Sequence, residues 1–179
     1  MKLPNHVGII IDGNRRFAKR LMKEPTKGHE WGYQKVKELI EWCKELKIKE
    51  LTLYAFSLEN FDRPKIEFDY LMNLFVKAFN ELQEEKDIKK IKVKFIGRLN
   101  MFPDKVQKEM YNLMEKTKDN KESIKINFAM AYSGRAEITD AVRKIAEEVK
   151  FNGLDPKEVN EETIKNNLYL NSDPDLVIR

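Results

Sequence analysis

The sequence predicts an α/β fold: a mostly parallel central sheet with helices on both faces and a site at the C-terminal ends of the strands. Three observations point to it. Short apolar runs rich in β-branched residues alternate with longer stretches of helical periodicity, the pattern of strand–helix–strand units. Three of those runs break at once into polar elbows, and in a parallel sheet such ends share one edge. No internal repeat or linker interrupts the order, so the 179 residues read as one domain with room for a core.

The first strand is Val7 to Ile11, apolar throughout and so expected to be buried on both faces. It gives way to Asp12, Gly13, Asn14, Arg15 and Arg16, followed by a segment of helical character. Residues 19 to 27 read as irregular, because Glu24-Pro25-Thr26 breaks any helix there. Gly28 to Gly32 then leads into a helix of about fifteen residues, with Tyr33, Val36, Leu39, Ile40, Cys43 and Leu46 on one face. Residues 50 to 56 form the second strand, and 57 to 64 a second polar elbow. The next helix, 66 to 86, carries Phe68, Leu71, Met72, Phe75, Ala78, Phe79 and Leu82. Such a stripe is ordinary core or, with so many large residues, the wall of a long apolar cavity. The third strand is 91 to 96, and Pro103 suits the first turn of a helix running to 117. The fourth strand, 124 to 131, ends in a third elbow, Tyr132 to Arg135. An amphipathic helix through Ile138, Ala141, Val142, Ile145, Ala146 and Val149 follows, then a short helix at 160 to 167 and a last strand, Asp175 to Arg179.

Composition narrows the function. With 34 basic and 30 acidic residues the net charge is only +4, which gives no argument for a nucleic-acid partner. Cys43 is the single cysteine and lies on an amphipathic face, so it reads as core, and an internal disulfide is ruled out. Two histidines and one cysteine make a zinc site a poor expectation. No apolar run approaches the roughly 20 residues that span a bilayer, and no signal peptide is visible. The expected location is the cytoplasm.

The elbows hold the chemistry. A carboxylate, a permissive glycine, an amide and two guanidiniums follow the first strand. Forked guanidiniums match phosphate oxygens, and the start of a helix favours an anion. Asp12 would repel a phosphate unless it holds a divalent cation that the phosphate also ligates, as Mg²⁺ does. The plain alternative is an aspartate helix cap beside two solvated arginines. The elbows should bring together Asp12, Asn14, Arg16, Ser57, Glu59, Asn60, Arg63 and Arg135, with the last strand delivering Arg179 and with His29 nearby. Several arginines and a metal carboxylate suggest a diphosphate. No Walker A or Gly-x-Gly-x-x-Gly sequence is present. The residues alone therefore reach a phosphate- or diphosphate-handling α/β protein dependent on Mg²⁺.

Five motifs in order carry the reading further: Asp12-Gly13-Asn14-Arg15-Arg16-Phe17-Ala18, Gly28-His29 with Gly32, Tyr54 to Arg63, Ala131 to Arg135, and Pro174 to Arg179. Together they resemble the cis-prenyltransferases, the undecaprenyl and dehydrodolichyl diphosphate synthases. Asn-Arg-Arg-Phe in place of Asn-Gly-Arg-Trp is closer to the archaeal and eukaryotic branch. The resemblance implies repeated cis condensation of isopentenyl diphosphate onto an allylic diphosphate primer of C20 or C15. The long polyprenyl diphosphate would serve as a glycosyl carrier lipid. It implies that Asp12 holds Mg²⁺ and assists departure of the allylic diphosphate. Gly13, Asn14, Arg15, Arg16, Phe17 and His29 would bind that substrate. Ser57, Leu58, Glu59, Asn60 and Phe61 would form an elbow beside the reacting carbons, with Asn60 as proton acceptor. Arg63 and Arg179 would bind substrate diphosphate. It also implies a homodimer and at most peripheral membrane contact through the lipid product.

Two departures from the family pattern stand out. Bacterial members carry an arginine where this chain has Pro25; that contact is lost, or Arg15 or Lys27 takes it over. The family also continues past the position of Arg179 with a Thr-Gly-Gly-Glu-x-Arg-x-Ser motif that brings further ligands and part of the dimer interface. The chain is thus expected to be a single domain truncated before that motif. The alternatives are a non-catalytic partner subunit of a heteromeric prenyltransferase and a Mg²⁺-dependent phosphohydrolase on a similar scaffold.

Overall fold

The computed structural model describes residues 3–120 and 124–179. In chain order the elements are β1 (His6–Ile10), α1 (Asn14–Arg20), α2 (Pro25–Glu45), β2 (Glu50–Ser57), α3 (Lys65–Gln83), β3 (Ile91–Ile96), α4 (Asp104–Thr117), β4 (Ile124–Tyr132), α5 (Gly134–Phe151), α6 (Glu161–Asn167) and β5 (Leu176–Ile178). The five strands form one sheet in the order β3-β4-β2-β1-β5, every pairing parallel. The connection from β1 through α2 to β2 crosses the sheet in one direction, and that from β4 through α5 to β5 in the other. Right-handed crossovers therefore put α2 and α5 on opposite faces. The expected α/β architecture is the observed one.

Pro25 corrects the sequence reading. It begins α2, which then runs for 21 residues. Proline fits a first helical position because the N–H it lacks would have no partner there. Only residues 21 to 24 separate α1 from α2. The second elbow also has more order than expected, since Leu58–Asp62 forms a 3₁₀ turn.

The main core lies between the sheet and helices α2, α3 and α4. Leu51, Leu53 and Phe56 of β2, Ile126 and Met130 of β4, Met72 of α3 and Val106, Met110 and Leu113 of α4 are fully enclosed. Cys43 belongs to this core, and burial pushes its thiol above the usual range, so it is no nucleophile. Gly28 and Gly32, one turn apart on α2, seat the start of α1. A Cβ on Gly28 would lie 2.2 Å from the Asn14 carbonyl oxygen, and one on Gly32 would lie 2.2 Å from the Asn14 amide nitrogen. The sequence Gly-His-Glu-Trp-Gly is thus a packing requirement that fixes Asn14.

Candidate active site

Asp12 follows the end of β1, at the C-terminal edge of the sheet. Gly13 behind it has φ of 91°, a left-handed conformation that an L side chain rarely adopts, and α1 starts at the next residue. Asp12 Oδ1 accepts the Gly13 N–H at 2.6 Å. Its Oδ2 accepts from Arg16 Nη2 at 2.8 Å and from Arg179 at 2.6 and 3.1 Å. These bonds, from Arg179 first and then Arg16 and Gly13, hold the carboxyl at about 2. Arg179 reaches it because β5 pairs with β1 and places its C-terminal end beside that of β1.

A second carboxylate organises the deeper wall. Glu67, in the first turn of α3, is buried and accepts three groups on one oxygen. Arg63 Nη1 donates at 2.6 Å, His29 Nε2 lies at 3.0 Å, and Arg15 Nε pairs at 3.5 Å. Burial alone would push the Glu67 carboxyl up, but the His29 hydrogen bond and the two guanidiniums hold it below its usual value. An ionised carboxylate only accepts, so His29 carries its proton on Nε2. Burial, countered by Glu67 and reinforced by Arg63, lowers the His29 pKa and keeps the imidazole neutral.

These groups border one cleft of about 750 Å³. Asp12, Gly13, Asn14, Arg15, Arg16, His29, Asn60, Arg63 and Arg179 all line it, as the sequence led one to expect. Lys19 and Lys23 line it as well, and so does Pro25. Lys27 does not: it is paired with Glu30 at 2.8 Å. Cations that share the cleft with Pro25 include Arg15, Lys19 and Lys23.

Other expected site residues lie elsewhere. Arg135 is exposed at the start of α5 and does not reach the cleft. Its strand β4 stands beyond β2, two strand spacings from β1, about 10 Å away. Ser57, Leu58, Glu59 and Phe61 do not line the cleft either. Ser57 and Asn60 instead cap the 3₁₀ turn reciprocally, with Asn60 Oδ1 accepting the Ser57 N–H at 3.1 Å. Leu58 packs against the core, and the Phe61 ring meets those of Phe56 edge to face and of Phe68 and Phe102 at a tilt. Glu59 is exposed. Phe17 does not line the cleft either, and its ring lies 5.7 Å from that of Trp31.

Beside the cleft lies an apolar cavity of about 490 Å³ between α2, α3 and the sheet. Ile11, Asn14, His29, Ala55 and Leu71 line both spaces, which are therefore adjacent. Leu71, Leu74, Phe75, Phe79 and Leu82 of α3 form one wall and Gly32, Tyr33, Val36 and Ile40 of α2 another. The aromatic stripe of α3 thus does both jobs weighed for it, core and cavity wall. Two reciprocal bonds bridge the helices: Tyr70 Oη donates to Glu30 at 3.0 Å, and Tyr33 Oη donates to Glu81 at 2.5 Å. Burial and Glu30 push the Tyr70 hydroxyl up to about 12, so it stays a donor.

A metal fits at one place in this set. Among the described residues no three acidic, histidine or cysteine side chains gather as a cage. Mg²⁺ needs none, because it keeps waters and takes one or two carboxylates together with substrate phosphate. Asp12 is ionised, and its Oδ1 accepts only one N–H, which leaves a lone pair for a cation.

The sequence matches the prenyltransferase family model described as undecaprenyl diphosphate synthase over residues 10–179. The chain belongs to this family. As a prenyltransferase it is similar to the tritrans,polycis-undecaprenyl-diphosphate synthase (geranylgeranyl-diphosphate specific) of Thermococcus kodakarensis, with 45% identity over 99% of this chain and 68% of the relative. The isoprenyl transferase of Thermus thermophilus is 43% identical over 99% of this chain and 70% of its own length. Lavandulyl diphosphate synthase from Lavandula x intermedia, solved in complex with dimethylallyl diphosphate, superposes with a TM-score of 0.89 at 34% identity. That match covers 97% of this chain and 76% of the plant enzyme. The prenyltransferase chain thus spans about two thirds of the curated relatives' length and about three quarters of the plant structure.

Proposed function

We propose that this prenyltransferase condenses isopentenyl diphosphate repeatedly onto an allylic diphosphate primer and releases a long polyprenyl diphosphate for use as a glycosyl carrier lipid. The observation that carries the reading is an arginine-lined cleft and an apolar cavity that share five lining residues. Only an amphiphile with a phosphate head and a hydrocarbon tail uses both. A phosphohydrolase has no need of the cavity, and a non-catalytic subunit has no need of Asp12 set among arginines. The specificity in the name of the Thermococcus relative supports geranylgeranyl diphosphate, a C20 primer, over C15.

The residues divide the work by place. Arg16, Arg179, Arg63 and Arg15 present guanidiniums to the diphosphates, with Lys19 and Lys23 adding charge where Pro25 stands. Asn14 and the buried, neutral His29 line both spaces, where head meets tail. Asp12 would hold Mg²⁺, which supplies positive charge to the departing diphosphate. Positive charge at the leaving group lowers the barrier to a carbocation-like transition state. Asn60 lines the cleft, and its amide is the proton acceptor in this reading; the Ser57 bond fixes its carbonyl. The apolar walls keep water from the reactive carbons.

A homodimer in the cytoplasm completes the reading. Sedimentation equilibrium checks this. The catalytic test is incorporation of radiolabelled isopentenyl diphosphate with Mg²⁺, offering C15 and C20 primers separately. Long product with C20 is expected, with loss on chelation by EDTA and return on adding Mg²⁺. Release of inorganic phosphate without chain growth would favour the phosphohydrolase and overturn the proposal.

A further inference from the structure

One surface beside the cleft has no part in the reaction proposed above. Phe17, Leu21, Met22 and Trp31 are 53%, 49%, 94% and 36% exposed. They are contiguous: the Phe17 and Trp31 rings meet edge to face at 5.7 Å, and Leu21 follows Phe17 by one helical turn. Scattered apolar residues on a surface are ordinary, whereas a joined group marks a contact.

Met22 is the least ordinary of them. Its φ is 51°, a left-handed conformation directly after the last turn of α1. Its N–H bonds the Lys19 carbonyl at 3.0 Å, and the Lys23 N–H bonds that of Ala18 at 2.9 Å. Glycine or asparagine is the usual residue at such a helix end. A methionine there gives up backbone ease and exposes nearly its whole side chain.

The charges within the segment that carries Phe17, Leu21 and Met22 are of one sign, with Glu24 and Glu30 just beyond it. Residues 15 to 23 hold Arg15, Arg16, Lys19, Arg20 and Lys23 and no acid. Arg15 and Arg16 are occupied by Glu67 and Asp12. Lys19, Arg20 and Lys23 have no ion pair among the described residues. No helix among the described residues is long and apolar enough to cross a membrane. Exposed aromatic and aliphatic side chains beside a basic segment are what anionic interfaces bind.

We propose that Phe17, Leu21, Met22 and Trp31 form a membrane-docking face for bilayers with anionic head groups. Arg20, Lys19 and Lys23 supply its electrostatic half. Lys19 and Lys23 also line the cleft, so docking would bring the cleft mouth to the lipid surface. This binding does not depend on the proposed reaction and is read without turnover.

The test is cosedimentation of the chain with vesicles of phosphatidylcholine alone and of equal parts phosphatidylcholine and phosphatidylglycerol. Binding to the mixed vesicles is expected, falling at high salt and at least about tenfold weaker on the neutral ones. Leu21→Asn with Met22→Asn, and separately Arg20→Glu, should each lower binding by about tenfold. Asparagine tolerates the left-handed position, so the first variant keeps the turn. Incorporation assayed in detergent should be unchanged by either variant, which separates docking from catalysis. Equal binding to neutral vesicles, or variants that bind as the parent does, would overturn the proposal and leave the patch to a protein partner.

Discussion

Two carboxylates hold the arginines of this cleft in place. Asp12 engages Arg16 and Arg179, and Glu67 engages Arg63 and Arg15. They call for different outcomes on substitution. Asp12 lies at the surface of the cleft, so Asp12→Ala should leave the melting temperature near that of the parent. It should lower kcat by about 10²–10³, the usual loss when one preorganised charge is removed from a reacting centre. Steady-state incorporation beside a melting curve separates the two effects. Glu67 is buried, and Glu67→Ala would leave His29 and Arg63 without their acceptor. A cost of about 2 kcal/mol is expected, read as a lowered midpoint in urea with an unchanged slope. His29 adds a pH dependence. Its folded pKa lies below the ordinary 6.5, so the unfolded chain takes up the proton first. The stability it contributes is complete above pH 6.5 and is lost as pH falls from there toward the folded value. Urea midpoints across that window should fall with acid, and His29→Gln should flatten the trend. Asp12, Asn14 and the arginines were legible because each breaks an apolar pattern at a strand end. Glu67 was not. An acid four residues after an arginine at a helix start normally reads as a surface pair, and only the tertiary fold shows that it is buried against His29.

At the scale of elements, α2 and α3 define the cavity, and reciprocal tyrosine–glutamate bonds bridge them. Tyr33 itself lines the cavity, and Lys37 strengthens its bond by pairing with Glu81 at 3.1 Å. Tyr33→Phe should cost about 1 kcal/mol, or roughly 2–4 °C in melting temperature. It should also shift the product distribution to longer chains by loosening the helix pair, which thin-layer chromatography of labelled products would reveal. Gly28→Ala should do more damage, because its Cβ would meet backbone and α1 would have to move. The strands and most helices were legible from period and composition, since each keeps one pattern for its whole length. The start of α2 was not, because Pro25 gives the same signal whether it ends a helix or begins one. The convergence of Arg135 failed for a related reason. Sequence places an elbow at the end of every strand but does not say which strands are neighbours, and β2 separates β4 from β1.

The whole molecule is a sheet whose strand order sets the chemistry. With β5, β1 and β2 adjacent, Arg179, Asp12 and Asn60 meet over one edge, and the cavity between α2, α3 and the sheet lies beside the cleft they line. The central claim is that cleft and cavity together hold one amphiphile, head in the arginine cleft and tail between the helices. The most direct measurement is a crystal structure with a non-hydrolysable C20 allylic thiodiphosphate. The account predicts the diphosphate among Asp12, Arg16 and Arg179, and the hydrocarbon passing Asn14 and His29 to lie along Leu71 and Phe75. A diphosphate bound in the cleft with its chain running outward over the surface, and the cavity between α2 and α3 empty, would contradict it.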